Sequence, residues 1–391
     1  MYNADKKMSL NSTIEIVKVE TDRQLKAFVD FYYDLYRACP NAVPYLYLAE
    51  KLTLKPSSNP AFAFCEAQCF LAMIDGKPAG RVVAIINRRA NEHWKRKMVR
   101  FGWFDFVDDP AVSEALLDAV ARWGKERGMT EIAGPFGFED MDREGMLVEG
   151  FEHLSTMYVN YNYDYYPRHM ERLGFKKDND YVEYRVKVPE ETPAKFAKTA
   201  EFIEKRYHLE PRKYNYHDMT KGGKARELFN ILNITYRDLY GYSQLSDDQI
   251  DTITNNYIKL ADLNLVTCVV DTEKNDKMVG FGVSFPSFSE ALRRTHDGHL
   301  LPFGWWRLLR VLKWHKTPEV DLLLIGVLSE YRMKGANAII FNDLISWYHR
   351  YGFQYAVTGP QMETNKGVLS QWRYLDSEEI RRHRIYVKPI I

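Results

Sequence analysis

The 391-residue chain has few cysteines and almost no net charge. Its four cysteines are Cys39, Cys65, Cys69 and Cys268, and the closely spaced pair Cys65 and Cys69 has no second cysteine or histidine pair nearby. We therefore expect reduced thiols and no metal site. The formal net charge of +1 argues against a general nucleic-acid binder, so no DNA partner is predicted.

The sequence also lacks long apolar segments. No run of about 18 apolar residues occurs, and the first ten residues have no apolar signal region, which predicts a cytoplasmic protein without a transmembrane segment. Hydrophobic residues at 46% and charged residues at 27% are typical of a globular chain, and the length allows two to three domains. The 26 tyrosines indicate either aromatic-lined clefts or a tyrosine-rich core.

The segment from Val320 to Thr358 predicts a strand, a basic turn, a helix and a second strand. The turn contains Arg332, Lys334 and Gly335, and Ala336 to Arg350 has apolar residues at helical spacing. A helix N-terminus favours a phosphate because its free N–H groups and its dipole both point outward. The spacing fits neither the P-loop nor the dinucleotide motif.

The turn, with the sequence EYRMKGAN, resembles the pyrophosphate loop of the GNAT acyltransferase superfamily, whose signature is Arg/Gln-x-x-Gly-x-Gly/Ala. Arg332 and Gly335 match, whereas Asn337 stands at the last position. The resemblance implies acetyl-CoA or another acyl-CoA as co-substrate, and an ordinary solvated turn is the alternative. The coenzyme-binding residues it implies are Val327, Leu328, Arg332, Lys334, Gly335, Ala336, Asn337 and Asn365.

The same resemblance implies catalytic residues after the second strand. Acyl transfer to an amine needs a base for the amine and an acid for the leaving thiolate. Glu363 is the candidate base, with a surface carboxylate as the alternative. Seven residues after Asn365, where the family often has a Tyr, this chain has Trp372, so Tyr374 is the nearby candidate acid.

The first half of the chain repeats the predicted order of elements. Its equivalent of the phosphate turn is Asp108-Asp109-Pro110, whose two carboxylates would repel a diphosphate. Trp123–Gly128 followed by Gly134-Pro135 parallels Trp347–Gly352 followed by Gly359-Pro360, which indicates a duplication. The expected fold class is α/β (α+β): two GNAT-like domains, each a mixed, mostly antiparallel central sheet flanked by helices.

The domain division follows from these patterns. We expect a flexible N-terminus at 1–12, a first GNAT-like domain with a degenerate coenzyme site at 13–188, and a linker with a bridging helix at 189–207. The second GNAT-like domain, which would bind the acyl-CoA, is expected at 208–391.

The stretch from Gly134 to Tyr166 combines acidic side chains with tyrosines and asparagines. Its GPFGF, GMLVEGF and YNYDYY segments resemble those of tandem-GNAT bacterial proteins of poorly characterised function. Such groups can orient an amine substrate, and a solvated acidic loop is the alternative. The candidate substrate-binding residues are Asp140, Asp142, Glu149, Tyr158, Asn160, Asn162 and Tyr166.

Residues 303–316 predict a tryptophan-rich helix with Trp305, Leu308, Leu309 and Leu312 on one face. This face suits a membrane surface, a lid over an acyl pocket or burial against the domain's own sheet. Because the chain has only one such helix, burial against the sheet is the favoured interpretation.

The predicted function is an acyl-CoA-dependent N-acyltransferase that acts on a small-molecule or peptide amine, with the acceptor site shaped by both halves. A longer-chain acyltransferase of the N-myristoyltransferase type and a Fem-like aminoacyltransferase remain open. A non-catalytic protein that binds acyl-CoA or another ligand is the alternative from a different class, and a homodimer is also left open.

Overall fold

The computed structural model describes residues 13–139, 141–258 and 261–391. Numbered in chain order, its strands are β1 (Ile14–Lys18), β2 (Cys65–Ile74), β3 (Lys77–Asn87), β4 (Met98–Phe106), β5 (Glu131–Gly134), β6 (Met146–Glu149), β7 (Lys176–Lys187), β8 (Leu209–Arg212), β9 (Val266–Asp271), β10 (Lys277–Pro286), β11 (Glu319–Val327), β12 (Tyr355–Thr358), β13 (Gln361–Met362) and β14 (Ser377–Pro389).

The helices are α1 (Asp22–Tyr36), α2 (Tyr47–Thr53), α3 (Arg88–Trp94), α4 (Pro110–Lys125), α5 (Tyr165–Arg172), α6 (Ala194–Tyr207), α7 (Tyr216–Thr220), α8 (Lys224–Tyr236), α9 (Asp247–Ile253), α10 (Ser289–Arg293), α11 (Gly304–Trp314), α12 (Ser329–Arg332), α13 (Asn337–Tyr351) and α14 (Lys366–Trp372). Across the described residues, none of these helices has the length and apolar character needed to span a bilayer.

Local sequence signals explain where several elements begin and end. The segment Asp75-Gly76-Lys77-Pro78 predicts a hairpin between β2 and β3, and the hairpin is confirmed, because Asp75 and Gly76 both have positive φ, 50° and 72°, as a two-residue primed turn requires. Helix α4 begins with Pro110 after Asp109, whose carboxylate accepts the Ala111 N–H at 2.8 Å. Helix α13 ends at Tyr351 and is closed by Gly352, which has a φ of 77°, as expected for a glycine after a helix end.

Other elements differ from the predictions. The sequence predicts one helix from Asp247 to Leu260, with Ser246 as its N-cap. In the structure α9 ends at Ile253 and the chain continues as a π-helical turn to Ile258, and residues 259 and 260 lie outside the described residues. The N-terminus expected to be flexible, residues 1–12, also lies outside them. Helix α3 and strand β6 were not predicted, because both are short and carry charged residues.

One compact unit contains the described residues up to Tyr181, together with Ala291–Trp305 and Arg381–Ile391. Its strands follow the order β1-β2-β3-β4-β5-β14, with β6 also paired to β14. All these pairs are antiparallel except β4 with β5. Helices α1 and α4 pack on this sheet, and fully buried residues such as Phe28, Val82 and Leu116 form the core.

The second compact unit contains Val182–Glu290 and Trp306–Ile380. Its strands follow the order β7-β12-β11-β10-β9-β8, and only β11 and β12 are parallel. Val269 belongs to the core that α13 and α6 cover, whereas its neighbour Cys268 belongs to the core under α8. Adjacent strand residues therefore face opposite sides of the sheet, and helices cover both sides.

The two units are interleaved along the chain. The end of β7, residues 185–187, pairs with β12 in the second unit. Strand β14, at the end of the chain, pairs with β5 in the first unit. The sequence division had placed each final strand in the repeat before it. A final strand has the same alternating pattern whether it pairs within its own repeat or with the other repeat, so periodicity could not distinguish these two pairings. Helix α6, expected as a bridge, packs against α13 within the second unit.

Candidate functional site

In the second unit, the parallel strands β11 and β12 are paired over only part of their length. Their ladder runs from Glu319 opposite Tyr355 to Leu322 opposite Thr358, and the Gly359 N–H then donates to the Leu322 carbonyl at 2.8 Å. Strand β11 continues to Val327, five residues beyond the described ladder. The two strands therefore separate, and this part of β11 presents an edge on which an extended ligand can pair.

The hydroxyl of Tyr236, at the end of α8, lies at this edge. The Leu328 N–H donates to Val279 of β10, so by alternation the backbone of Ile325 points away from β10 and toward the open side. The Tyr236 hydroxyl lies 3.3 Å from the Ile325 carbonyl and 3.4 Å from its N–H. Tyr236 was not predicted as a site residue, because nothing in the helical pattern of α8 links it to a strand about 90 residues later.

The side chains of this strand segment are apolar and partly accessible to solvent. Leu323, Leu324 and Ile325 are all half-buried. Leu323 is the additional residue of a β-bulge, since Val283 faces Leu324 and Ser284 faces Leu322. It belongs to none of the hydrophobic clusters among the described residues. Bulges are frequent beside binding sites because they redirect a side chain.

The predicted phosphate turn follows β11 and contains the short helix α12. Arg332 is exposed, and its guanidinium donates to the Val327 carbonyl at 3.3 Å. The Lys334 ammonium lies 4.6 Å from the ring centre of Tyr331 and 5.1 Å from that of Tyr207. Both cations are thus placed beside the N-terminus of α13, where they add to its positive end.

Gly335 has a packing role in the structure. Its φ is +86°, and a Cβ built there would lie 2.9 Å from Cδ1 of Ile203 in α6. The N–H groups of Gly335, Ala336 and Ala338 donate to carbonyls of the turn itself. The glycine therefore allows the turn to approach α6, and these three N–H groups are already used within the protein.

A buried tyrosine anchors the turn. Tyr331 is fully buried, and its hydroxyl donates to Asp271 at 2.7 Å and accepts from Lys274 at 2.7 Å. Val327 and Ala336 are buried, whereas Leu328 and Asn337 are half-buried. The predicted coenzyme-binding residues of this turn are therefore adjacent and fixed in position.

The predicted catalytic residues lie after β12. Glu363 is half-buried, and the Asn365 side chain caps α14 by accepting the Val368 N–H at 3.4 Å. Trp372 is buried and its indole N–H donates to Gln361 at 2.8 Å. The Trp372 ring is thus packed into the core, whereas a catalytic tyrosine at this position would need open space around its hydroxyl.

Tyr374 is 55% exposed, and the Lys195 ammonium lies 3.2 Å from its ring centre. A hydrogen bond from Lys195, together with its charge, lowers the pKa of the Tyr374 phenol. A lowered pKa brings a phenol closer to the range useful for proton transfer near neutral pH. The roles of Glu363 and Tyr374 stay predictions.

In the first unit, the corresponding strand pair is also paired over only part of its length. The parallel ladder of β4 with β5 ends at Arg100 opposite Ala133, whereas β4 continues to Phe106. Here the chain itself fills the edge, because the Phe136 N–H donates to the Phe101 carbonyl at 2.8 Å. A Cβ at Gly102 would lie 2.1 Å from the Phe136 carbonyl oxygen, so no further group fits between them.

Most of the predicted substrate-binding residues form internal hydrogen bonds. Asn162 accepts the Leu147 N–H at 2.7 Å and donates to the Leu147 carbonyl at 3.0 Å. Asn160 donates to the Gly145 carbonyl at 2.9 Å. The Asp142 carboxylate accepts the Phe138 N–H at 2.8 Å, and burial raises its pKa. These side chains hold the loop together.

Tyr166 is also internal, since its hydroxyl accepts the Phe106 N–H at 3.1 Å and lies 2.8 Å from the Tyr36 hydroxyl. Glu149 is exposed and lies 3.6 Å from the Arg382 guanidinium, and Tyr158 is half-buried. A substrate role for Glu149 and Tyr158 stays a prediction. Asp140 lies outside the described residues.

A buried ion pair in the first unit was not predicted. Arg81 is 1% exposed and donates to Asp105 at 2.8 Å, while the Tyr36 hydroxyl donates to the same carboxylate at 3.2 Å. The signal was present in the sequence, since each charged residue interrupts an apolar strand. The ion pair bonds to α1 through the Tyr36 hydroxyl and the Phe28 carbonyl, and removing one partner would leave a buried charge unpaired.

Together, the two similar units and their partly paired parallel strands define a tandem GNAT fold, which confirms the predicted fold class. No family model matches the chain. The chain is 26% identical to Protein YghO of Escherichia coli over 380 residues, covering 94% of this chain and 93% of that protein. It is 25% identical to the bacterial ceramide synthase of Caulobacter vibrioides over 393 residues, covering 98% and 99%.

Among solved structures, the chain resembles a tandem GNAT protein from the clavulanic acid biosynthesis pathway. The TM-score is 0.57 at 10% sequence identity, and the match covers 97% of this chain and 99% of the other. At this identity the likeness concerns the fold. It supports the tandem arrangement over the whole chain.

Proposed function

We propose that this protein is an acyl-CoA-dependent N-acyltransferase whose coenzyme binds to the second unit. The observation that carries the proposal is the open edge of β11 beyond Leu322, with the half-buried Leu323 to Ile325 along it. The pantetheine arm of an acyl-CoA is an extended chain with two amides, so it can pair with such an edge as a strand would. The apolar side chains would then contact the arm and the acyl chain.

The cationic turn supplies the phosphate end of this proposed site. Arg332 and Lys334 would bind the diphosphate beside the N-terminus of α13, with Asn337 as its first residue. Asn365 would remain the N-cap of α14. In the first unit, by contrast, Asp109 caps the equivalent helix, and we propose that no coenzyme binds there.

In the proposed reaction, the acceptor amine attacks the thioester carbon, the carbon–sulfur bond breaks, and the thiolate takes up a proton. Glu363 would accept the proton that the amine loses. The Tyr236 hydroxyl, now on Ile325, would turn to donate to the thioester oxygen, where negative charge develops. Tyr374, whose pKa Lys195 lowers, would protonate the thiolate.

For the acceptor, we propose a long-chain amino alcohol. The supporting observation is the match to the bacterial ceramide synthase, which covers nearly the whole of both chains. A ceramide is the N-acyl derivative of such an amine, so its formation is the amide-forming step proposed above. The partly exposed leucines on β11 suit an apolar acyl chain better than a charged aminoacyl group.

The test is calorimetric titration of acetyl-CoA and of a long-chain acyl-CoA into the wild-type protein. The variant Arg332→Ala/Lys334→Ala should bind either coenzyme roughly 50-fold more weakly, since each lost charge-assisted contact costs about 1 to 2 kcal/mol. The control Lys221→Ala/Lys277→Ala removes the same charge at exposed positions of the same unit and should bind normally. A folded wild type that binds neither coenzyme would contradict the proposal.

A second candidate is a protein that binds acyl-CoA without transferring the acyl group. The buried Trp372, held by Gln361, favours it because the family's usual proton donor is missing at that position. The two candidates differ in one result: only the enzyme forms an amide when acyl-CoA and a long-chain amine are present together. Tyr236→Phe should then slow amide formation while leaving acyl-CoA affinity unchanged.

A further inference from the structure

Exposed apolar side chains are concentrated in one short segment of the chain. Among the described residues, six of the fifteen exposed large apolar side chains lie within 15 positions, and these six are Leu300, Leu301, Phe303, Trp305, Trp306 and Trp314. The chain has eight tryptophans, and the three that are exposed all lie in helix α11. Single exposed apolar residues are ordinary, but a cluster of this kind indicates a binding partner.

The solvent side of α11 interleaves tryptophans with cations. At 100° per residue, Trp306, Arg307, Arg310, Lys313 and Trp314 fall within about 120° of the helix circumference. All five are exposed, and the rings of Trp306 and Trp314 meet edge to face at 5.6 Å. We call these five residues the Trp–Arg face.

The buried side of this helix overlaps the predicted face but is turned toward Val311. Trp305, predicted on the buried face, is 47% exposed, whereas Val311 is 4% exposed. Leu308, Leu309 and Leu312, the other three residues of the predicted face, are half-buried. Burial therefore accounts for the side of α11 around Val311 and does not extend to the Trp–Arg face.

The segment of the chain that carries this face has charged side chains of one sign only. Residues 299–318 contain Arg307, Arg310, Lys313 and Lys316, and no aspartate or glutamate. The whole chain has a net charge of only +1, so this segment is more basic than its surroundings. Arginine and lysine bind lipid phosphates, and tryptophan favours the interfacial region of a bilayer because its ring is apolar and its N–H is polar.

The helix is held firmly at its C-terminal end. His315 stacks on Tyr351 with 3.8 Å between ring centres, and its Nε2 lies 2.9 Å from the Asp262 carboxylate. Both contacts lie within the second unit. The Trp–Arg face is thus presented in a fixed orientation, so docking would not require the helix to fold first.

We propose that the Trp–Arg face docks the protein on the surface of a bilayer that contains anionic phospholipid. Trp306 and Trp314 enter the interfacial region, and Arg307, Arg310 and Lys313 bind the phosphate groups. The helix lies in the plane of the surface, since its 11 residues are too few to cross a bilayer. This inference goes beyond acyl transfer and does not depend on it.

The test is cosedimentation of the full chain with phosphatidylcholine vesicles, with and without phosphatidylglycerol. The wild type should bind only the anionic vesicles, and added salt should weaken binding. Arg307→Gln/Arg310→Gln/Lys313→Gln should weaken binding about 100-fold, since each cation contributes about fivefold. A folded wild type that stays in the supernatant with anionic vesicles at low salt would overturn the proposal.

A matched control separates this face from charge in general. Lys77→Gln/Lys221→Gln/Lys277→Gln removes the same charge from exposed positions elsewhere, and it should bind the anionic vesicles like the wild type. Equal loss of binding in the control and in the α11 variant would mean nonspecific attraction and would refute the assignment.

The tryptophans provide an independent measurement. Binding to vesicles with brominated acyl chains should quench part of the fluorescence, and Trp306→Phe/Trp314→Phe should remove most of that quenching. Quenching that persists in this variant would place another surface against the lipid. Acyl-CoA titrations on the same variants should be unchanged, so loss of docking and loss of the coenzyme site give different results.

Discussion

The difference between the two partly paired strand pairs leads to a prediction about one phenylalanine. Phe136 is fully buried in the first unit, and the Arg100 guanidinium lies 4.7 Å from its ring centre. Phe136→Ala should lower the free energy of unfolding by about 4 kcal/mol, because it leaves a cavity where the chain fills the strand edge. That loss is a large part of the 5 to 15 kcal/mol typical of a domain.

A change beside the parallel ladder of the second unit should have the opposite profile. Leu323 is half-buried at the bulge of β11, so Leu323→Ala should cost about 1 kcal/mol of stability or less. It should weaken acyl-CoA binding about fivefold through lost apolar contact, whereas Phe136→Ala should bind acyl-CoA normally. Urea unfolding by circular dichroism and calorimetric titration measure the two effects separately.

The two results together decide where the coenzyme binds. If Phe136→Ala remains folded and loses acyl-CoA binding while Leu323→Ala binds normally, the coenzyme belongs to the first unit and the reasoning is refuted. Equal effects of both variants on binding would also contradict it. The comparison is informative because each residue lies beside a parallel ladder that ends early, Phe136 after β5 in the first unit and Leu323 on β11 in the second.

Three further predictions concern stability, thiol chemistry and chain order. Burial alone would raise the pKa of Asp180, but hydrogen bonds from Arg384 and Lys177 outweigh burial and lower this pKa. Asp180→Asn should therefore lower the free energy of unfolding by about 3 kcal/mol at neutral pH. This loss of stability should disappear as the pH falls below about 4 and through the lower pKa of folded Asp180, because the wild-type carboxylate then becomes protonated. Asp238 is exposed, so in urea unfolding Asp238→Asn should show neither the loss of stability nor its pH dependence. Burial raises the thiol pKa values of Cys65, Cys69 and Cys268 to about 12. Iodoacetamide at pH 8 should therefore label Cys39 in the native protein and the other three cysteines only in denaturant. Rapid native labelling of two or more thiols, counted by mass spectrometry, would contradict this. Removing residues 381–391 should make the first unit sensitive to protease and leave the second unit resistant, because β14 pairs with β5 in the first unit. Protection of both units would contradict the assignment of β14 to the first unit.

Much of the fold could be predicted because its signals are local. The Asp75-Gly76 hairpin, the Pro110 helix start and the Gly352 helix end each follow from residues that only certain backbone geometries accept. The repeated Trp–Gly and Gly-Pro segments gave the tandem arrangement, which the structure confirms. The partners of the final strands could not be predicted, since alternating strands pair equally well in either unit.

The candidate site was predictable only in part. Arg332 and Gly335 were found through a short signature, yet the sequence could not show that Gly335 packs on Ile203. Asn162 and Tyr166 looked like substrate ligands because their side chains can form several hydrogen bonds, and the structure uses those bonds on the chain itself. Tyr236 was missed because its place at β11 depends on long-range packing that residue type does not encode.

The most direct test of the proposed function is to supply a long-chain acyl-CoA and a long-chain amino alcohol together and to measure both products. We predict that free coenzyme A and the N-acylated amine appear in equal amounts, and that Arg332→Ala/Lys334→Ala forms both about 50-fold more slowly at acyl-CoA concentrations well below the dissociation constant. Coenzyme binding without either product would leave a binding protein. A folded wild type that shows no coenzyme binding and no product would contradict the account of the second unit as an acyl-CoA site.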